Sequence, residues 1–364
     1  MNITLKRTDE QVELVKAMAS RDRNVAYEAQ EALAAFIGPV VAEVVDNAPT
    51  ISNLFNPFQF AADDNPSIPL DLYYDVSDED YIKVYSTNAA GGLPSSHVTP
   101  THSELKLATY RLESAVDFDK RYASRSRLDV VSKSMTRLAQ EILIQQENAS
   151  ASLLLGTIAD NSNKLLTSST FANRFLLDDF NKMLTKMKRN NPSWSGGTPE
   201  RTRGMTDLIV SPEIVQSLRE MAYNPINTKG GVQTAAGTGA NQTTETAIPA
   251  TDEMRQAIYN SAGLPEFYGI SIMEIYELGL NAKYTKVAKK LLGGTMTRAD
   301  VCLGLDRSRE SLLRAVAVDA ESGTTMSVSA DDQYVTRSKK IGFYSELEEG
   351  RTIINDSAIL AIQV

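Results

Sequence analysis

The sequence predicts an α+β fold, with helical and strand-forming stretches that follow one another along the chain. From about Tyr122 to Leu155, apolar residues recur every three or four positions, which is the spacing of one helix face. Before that helix, the stretches YIKVYST and LKLATYRLESAVDF alternate apolar and polar residues, which is the period of half-buried strands. After Gly293, alternating segments rich in β-branched residues continue to the last residue.

The N-terminal part of the chain predicts a helix followed by an extended segment. Residues 8–37 form the helix, with Thr8 and Gln11 in a capping box. The Gly38-Pro39 pair predicts its end. Four prolines between residues 49 and 69 then prevent a long helix.

Residues 66–108 predict a long β-hairpin around the turn-rich stretch NAAGGLPSSHVTPTHSE. An isolated two-stranded hairpin is marginally stable in water, and these strands hold few apolar residues. We therefore expect support from another copy of the chain. The side chains expected to be buried in that contact are Tyr81, Val84, Tyr85, Leu105 and Leu107.

The long helix presents one apolar stripe, which we expect to pack on strands of the same subunit. Its members are Leu128, Val131, Met135, Leu138 and Ile142. At 1.5 Å per residue, such a helix extends roughly 45 Å, which is long for a globular domain.

The middle of the chain, residues 165–290, predicts an α/β segment. LLDDFNKMLTKMKRNN indicates a helix, and TDLIVSPEIVQSLREMAYN indicates a strand, a Ser-Pro turn and a second helix that begins at the proline. YGISIMEIYEL indicates a later strand.

Composition and motifs favour neither an enzyme nor a nucleic-acid-binding module. The net charge of −9 argues against general affinity for nucleic acid, and the single cysteine, Cys302, excludes a disulfide framework. His97 and His102 lie in the hairpin tip without further metal ligands, and no membrane-spanning apolar run occurs. We expect no catalytic residues, no metal, no cofactor and no membrane association.

A glycine-rich stretch at residues 229–239 is the one candidate for a cofactor loop. Its spacing matches neither the dinucleotide fingerprint nor the P-loop, and it follows a helix rather than a strand. A surface loop is the favoured interpretation, and a soluble enzyme with a cofactor here is the remaining alternative. The glycines concerned are Gly230, Gly231, Gly237 and Gly239.

The order of these elements resembles the major capsid protein of tailed bacteriophages, with the Hong Kong 97-type or Johnson capsid fold. The stretches TDLIVSPEIVQSLREM, LPEFYGISIMEIYEL and the C-terminal residues from Ser322 carry the likeness. The resemblance implies an N-terminal arm (1–50), an extended linker (51–65), an extended hairpin loop (66–108), a peripheral domain with the spine helix (109–164), an axial domain (165–290) and a return to peripheral strands (291–364).

The resemblance also implies a function. A structural virion protein of this family self-assembles into pentamers and hexamers, in the host cytoplasm, and forms the icosahedral shell around phage double-stranded DNA. About fifty residues precede the proline-rich stretch, so a separate scaffolding protein is expected, together with a portal and, in some members, decoration proteins. The glycine loop would lie near the capsomer axes. Lys83 and Asn355 occupy regions that crosslink in some members. An encapsulin-type compartment shell is the alternative within the same fold.

Overall fold

The computed structural model describes residues 8–61, 64–69, 104–168, 174–190, 204–223, 266–267, 269–309, 311–318, 323–331 and 339–364. The described chain mixes helices and strands, which confirms the predicted α+β class. It forms two compact units. The first contains the described residues of 1–72, 99–150 and 312–353, and the second contains those of 151–311 and 354–364.

Helices and strands are numbered here in chain order. The helices are α1 (Asp9–Ala17), α2 (Arg23–Asp46), α3 (Lys120–Ser124), α4 (Leu128–Asp160), α5 (Leu177–Arg189), α6 (Pro212–Tyr223) and α7 (Lys283–Leu292). The strands are β1 (Asn56–Ala61), β2 (Ser67–Pro69), β3 (Glu104–Lys106), β4 (Tyr110–Asp119), β5 (Leu165–Thr167), β6 (Asp207–Val210), β7 (Glu266–Phe267), β8 (Ile270–Glu274), β9 (Val301–Leu305), β10 (Leu312–Val318), β11 (Ser327–Asp331), β12 (Lys340–Ile353) and β13 (Ile359–Gln363).

The first unit is built on a five-stranded sheet in the order β1-β10-β12-β11, in which β4 also pairs with β12. The β4–β12 ladder is antiparallel and runs from Tyr110 opposite Glu349 to Asp119 opposite Lys340. The long helix α4 covers this sheet with its predicted apolar stripe, all of it buried. The stripe lies in one cluster with Phe118, Val316, Ile341, Phe343 and Leu347 of the sheet strands.

The N-terminal helix prediction is correct at its start and wrong at its end. Thr8 caps α1 by accepting a hydrogen bond from the Gln11 backbone N–H at 3.4 Å, but the predicted capping box is only half formed, because Gln11 Oε1 has no hydrogen-bond partner among the described residues. The helix then breaks before Asp22, whose carboxylate caps α2. The predicted stop is wrong because α2 continues through Gly38 and Pro39 to Asp46. A proline removes only one backbone donor, and the buried apolar face of α2 continues on both sides of it.

The segments predicted as an N-terminal arm and a linker are part of the first unit. Leu33, Ile37 and Val41 of α2 lie in the same core cluster as the α4 stripe. In the segment 51–65, β1 pairs in parallel with β10 and therefore forms an edge of the sheet. The first 61 residues, where described, thus contribute to the subunit interior.

The second unit is built on a six-stranded sheet in the order β5-β13-β9-β6-β8-β7. The predicted strand, turn and helix are present as β6, Ser211 and α6, and Ser211 Oγ accepts a hydrogen bond from the Ile214 amide at 3.3 Å. Cys302 of β9 is fully buried, and burial raises the pKa of its thiol well above the ordinary value. It is therefore a core residue, as the apolar VCLGL run indicated.

The prediction that all of residues 291–364 return to the strands of the first unit differs from the structure. β10, β11 and β12 belong to the first sheet, whereas β9 and β13 are neighbours in the second. Every residue of β9 and β13 is buried, while β12 alternates between buried and half-buried positions. Continuous apolar runs are typical of strands covered on both faces, so this difference was visible in the sequence.

Candidate functional site

The base of the predicted hairpin is a short antiparallel ladder between β2 and β3. Ser67 pairs with Lys106 and Pro69 with Glu104. The Leu107 amide extends the ladder by donating to the Pro66 carbonyl at 3.0 Å. Residues 70 to 103 lie between the two paired ends and outside the described part of the chain.

Two of the five predicted contact residues lie in this ladder. Leu105 is half-buried opposite Ile68, which is itself buried. Leu107 is only 7% exposed in the single chain, so its burial does not need a neighbouring copy. The expectation that a neighbouring subunit buries Leu107 is therefore wrong, because the single chain already buries it. Tyr81, Val84 and Tyr85 lie outside the described residues.

Immediately after the ladder, Ala108 and Thr109 pass very close to Gly350 of β12. A Cβ atom added at Gly350 would lie 2.5 Å from the carbonyl oxygen of Ala108, which is a steric overlap with backbone. The next residue, Thr109, donates its hydroxyl to Glu348 at 2.8 Å. Only a glycine permits this approach, so Gly350 helps to set the point at which the hairpin leaves the sheet.

Directly beside this crossing, β12 carries a fully buried carboxylate, Glu349, with four hydrogen-bond donors. Its Oε1 accepts from the Tyr110 hydroxyl at 3.1 Å and from Arg351 at 2.5 Å. Its Oε2 accepts from Gln146 of α4 at 2.9 Å and from Arg314 of β10 at 3.3 Å. Both oxygens are therefore satisfied, which a buried carboxylate requires.

The two arginines connect this buried cluster to the N-terminal segment. Arg314 and Arg351 are directly opposite one another in the β10–β12 ladder, an arrangement that destabilises a sheet unless a countercharge separates them. Glu349 supplies that charge. Arg314 also donates to the Asn53 side chain at 3.0 Å, and Arg351 donates to Ser52 Oγ at 2.7 Å.

Tyr110, the first residue of β4, is the member of the cluster nearest the hairpin base. Burial, together with the negative charge of Glu349, raises the pKa of its hydroxyl to about 12. The hydroxyl also accepts a hydrogen bond from Arg351. Since a neutral tyrosine can donate to Glu349 and a tyrosinate cannot, the cluster requires the protonated form.

The remaining predicted positions are mostly outside the described residues. These are Gly230, Gly231, Gly237, Gly239, His97, His102 and Lys83. Asn355 is described, and its side-chain oxygen caps a short helical turn by accepting from the Ser357 amide at 2.9 Å.

Two features are absent from the described residues. No group of three or more His, Cys, Asp or Glu side chains there is placed to hold a metal ion. No helix in the same part of the chain combines the length and the apolar character that crossing a membrane requires.

Sequence reasoning missed the buried cluster altogether. Glu349 and Arg351 fall in a run of charged residues, which predicts a solvated strand end. One signal in the sequence could have indicated the burial of Glu349. Side chains two residues apart on a strand lie on the same face, so Glu349 and Arg351 share a face of β12 with Leu347, which is a core residue.

Comparison with known proteins finds similar structures but no matching family model and no matching curated protein. A structure from Microbacterium phage Oxtober96 is 11% identical, with a TM-score of 0.48 over 86% of this chain and 90% of that one. The capsid of cyanophage P-SCSP1u is 12% identical, with a TM-score of 0.46 over 85% and 86%. The holo-SrpI encapsulin complex from Synechococcus elongatus PCC 7942 is 13% identical, with a TM-score of 0.40 over 72% and 76%.

Proposed function

We propose that this chain is a structural virion protein, the major capsid protein of a tailed bacteriophage with the Hong Kong 97-type fold. Its copies assemble into pentamers and hexamers that form an icosahedral shell around double-stranded DNA. The observation that carries the proposal is the hairpin base, where β2 and β3 pair at the two ends of a segment of 34 residues, 70 to 103. We interpret this segment as the extended loop that the resemblance implies.

The contacts at the hairpin base support a role for the loop in assembly. The Gly350 crossing and the Glu349 cluster fix the ends of the loop with contacts inside the subunit. The sequence between those ends has too few apolar residues to be a stable ribbon alone. A neighbouring copy of the chain can provide the missing contacts, and repetition of such a contact around a ring closes a capsomer.

The long helix supports the same interpretation. α4 extends for 33 residues, and its residues up to Ser150 belong to the first compact unit while those from Ala151 belong to the second. In the family that the sequence resembles, a spine helix follows the extended loop, and α4 has that position in this chain. In the proposed particle, a separate scaffolding protein and a portal complete assembly in the host cytoplasm, and the packaged DNA is contacted without sequence preference.

The test uses the full chain and a loop deletion that keeps the ladder. Deletion of the whole segment from Tyr81 to Leu107 would also remove β3 and the buried side chain of Leu107. Such a variant could lose particles because the subunit is destabilised, so it does not test assembly. Deletion of residues 73–100, closed with a short Gly-Ser turn, retains β2, β3 and the Ala108 crossing. We expect the full chain, alone or with its scaffolding protein, to form closed shells in sedimentation and electron microscopy.

The deletion variant should fold, with a cooperative thermal unfolding transition in circular dichroism, and should remain as subunits or open fragments. Shortening residues 230–246 to a few Gly and Ser residues is a control for folding, not for assembly, because this loop would lie near the capsomer axes. The shortened subunit should stay folded, since loop-closure free energy changes by only about 0.6 kcal/mol per twofold change in length. Closed shells from the 73–100 deletion would overturn the assembly role of the loop. Particles from host cells should contain nuclease-protected double-stranded DNA. A protein cargo in its place would contradict the phage assignment.

A further inference from the structure

The first unit has a strongly basic corner at the end of β4 that lies opposite to the hairpin base. Three segments form it: residues 20–23 between α1 and α2, residues 119–127 around α3, and Lys339 immediately before β12. We call these segments the basic corner. They contain seven Lys or Arg residues against two Asp residues, a net charge of +5 in a chain whose net charge is −9. The basic members are Arg21, Arg23, Lys120, Arg121, Arg125, Arg127 and Lys339.

Hydrogen bonds from Lys120 hold the three segments together. Its Nζ donates to the Ser20 carbonyl at 2.6 Å, and its backbone N–H donates to the Lys339 carbonyl at 2.9 Å. The pKa of Asp119 is lowered, mainly by its hydrogen bonds from Arg121 and to a smaller extent by the charge of Lys339. These contacts place the basic residues of distant parts of the sequence side by side.

The two carboxylates of the basic corner are used by helix starts and do not neutralise its cations. Asp22 accepts from the Asn24 backbone N–H at 3.1 Å and caps α2. Asp119 accepts from the Arg121 backbone N–H at 2.9 Å and from its guanidinium at 2.8 Å, and it caps α3. Three exposed cations of the corner have no ion pair with any described residue, and these are Arg21, Arg125 and Lys339.

This concentration of charge favours a polyanion as the ligand. Neighbouring cations without countercharges repel one another, and a polyanion bound across them removes the repulsion and releases its own counterions. Five of the seven basic residues are arginines, whose planar guanidinium groups can donate two parallel hydrogen bonds to one phosphate. Both α2 and α4 also begin here, at Arg23 and Leu128, so the positive ends of their dipoles add to the potential.

We propose that the basic corner binds the phosphate groups of double-stranded DNA. An acidic protein segment fits less well, because a protein interface usually has an apolar centre and the corner exposes one large apolar side chain, Tyr122. A single strand fits less well for the same reason, since its bases stack on several aromatic side chains. The negative charge of the rest of the chain keeps the binding weak and confines it to the corner.

This inference rests on the proposed function, in which duplex DNA is the enclosed partner, and it gives that contact a place on the subunit. Contacts to phosphates carry no sequence information, as the enclosure of any packaged sequence requires. The basic corner and the hairpin base lie at opposite ends of the β4–β12 ladder. Substitutions in the corner therefore leave the hairpin base intact.

The test measures binding of full-length dissociated subunits to a short fluorescent DNA duplex of random sequence by anisotropy, between about 50 and 200 mM salt. One variant carries Arg21→Gln, Arg125→Gln and Lys339→Gln. These side chains have no ion pair with described residues, so its thermal unfolding should match the wild type. The affinity at the lowest salt should fall at least about tenfold, and the slope of log K against log salt should become shallower by about 0.9 per lost contact, or about 2.7 for three.

A charge-matched control removes three exposed lysines of α7 in the second unit, with Lys286→Gln, Lys289→Gln and Lys290→Gln. Its affinity and slope should stay close to those of the wild type. Equal losses in the two variants would mean that net charge governs binding, and this would overturn the inference. So would an unchanged slope in the corner variant, or tighter binding to polyglutamate of equal charge than to the duplex.

The result is separable from the test of the proposed function, because the subunits bind the duplex without assembling. Closed shells from a chain whose subunits bind no duplex would refute the basic corner alone. Duplex binding that is lost in the corner variant would support the corner even if the wild-type chain forms no shells, and in that case the proposed function alone fails.

Discussion

Replacement of Glu349 by glutamine is the sharpest test of the buried cluster at the hairpin base. The substitution preserves size and shape but removes the carboxylate that pairs with both Arg314 and Arg351, which are 5% and 3% exposed at their side chains. Arg314 also lies 3.6 Å from the Asp46 carboxylate, so the larger loss falls on Arg351. It also places an amide NH₂, which cannot accept, where two donors converge on one carboxylate oxygen, so both of these donors lose their acceptor.

The magnitude follows from burial. When one partner of a buried ion pair is removed, the remaining charge is left uncompensated in a poorly solvated site, which costs roughly 3–5 kcal/mol. Glu349 is 0% exposed and accepts four hydrogen bonds, so water cannot replace its contacts. A loss of this size is a large part of the roughly 5–15 kcal/mol that stabilises a folded protein.

The neighbouring residue provides a matched control. Glu348 is on the same strand, is 22% exposed at its side chain, and pairs with Arg111, which is 61% exposed. Exposed ion pairs contribute about 0–1 kcal/mol, so Glu348→Gln should have little effect. Urea unfolding of dissociated subunits, followed by circular dichroism, measures both variants against the wild type.

A Glu349→Gln variant that unfolds at the same urea concentration as Glu348→Gln would refute the reasoning. It would mean that the cluster is hydrated in solution and that its charges are not buried. The double substitution Arg314→Met with Glu349→Gln adds a second check. If the two side chains interact as described, the double variant is less destabilised than the sum of the two single variants.

Three further predictions concern the first unit and the long helix. Met135→Asp buries an unpaired charge in the α4 stripe and should cost roughly 3–5 kcal/mol in urea unfolding, whereas Met135→Leu should be nearly neutral. Gly350→Ala forces β12 away from Ala108 and should destabilise the subunit, whereas Gly156→Ala, which meets nothing within 4 Å in α4, should stabilise it by about 0.5–1 kcal/mol. The free energy of unfolding, measured between pH 9 and pH 12, should fall in part because of Tyr110. The pKa of its hydroxyl is raised from 10 to about 12 in the folded protein, so its contribution to stability is complete below pH 10 and is lost as the pH rises towards 12. In Tyr110→Phe, this part of the pH dependence should disappear.

Local signals predicted the elements of this fold well. The 3/4 spacing in α4, the proline that begins α6 and the alternation in β12 each depend on residues close in sequence. These patterns reflect the geometry of a single helix or strand, and the structure has them near the predicted positions. The α4 helix begins at Leu128 rather than at Tyr122 because a short separate helix, α3, precedes it.

The division into units was predicted less well, because it depends on contacts between distant residues. Ile359–Gln363 pairs with Val301–Leu305 of the second sheet, although the strand just before it, β12, belongs to the first. The chain changes sheets within the short connection at Ile354–Ala358. The apolar run ILAIQ indicates that β13 is covered on both faces, but no local pattern indicates which sheet it joins.

The buried cluster at the hairpin base depends on contacts between residues that are distant in sequence. Glu349 is surrounded by donors from β4, α4, β10 and β12, and no local pattern brings these four elements together. Once the strand register is known, however, the cluster follows: Arg314 must lie opposite Arg351 and Tyr110 opposite Glu349. The subunit thus fixes the two ends of the loop by its own interior contacts. In the proposed shell, neighbouring copies have only to support the part of the loop beyond them, and assembly does not need to fold the base.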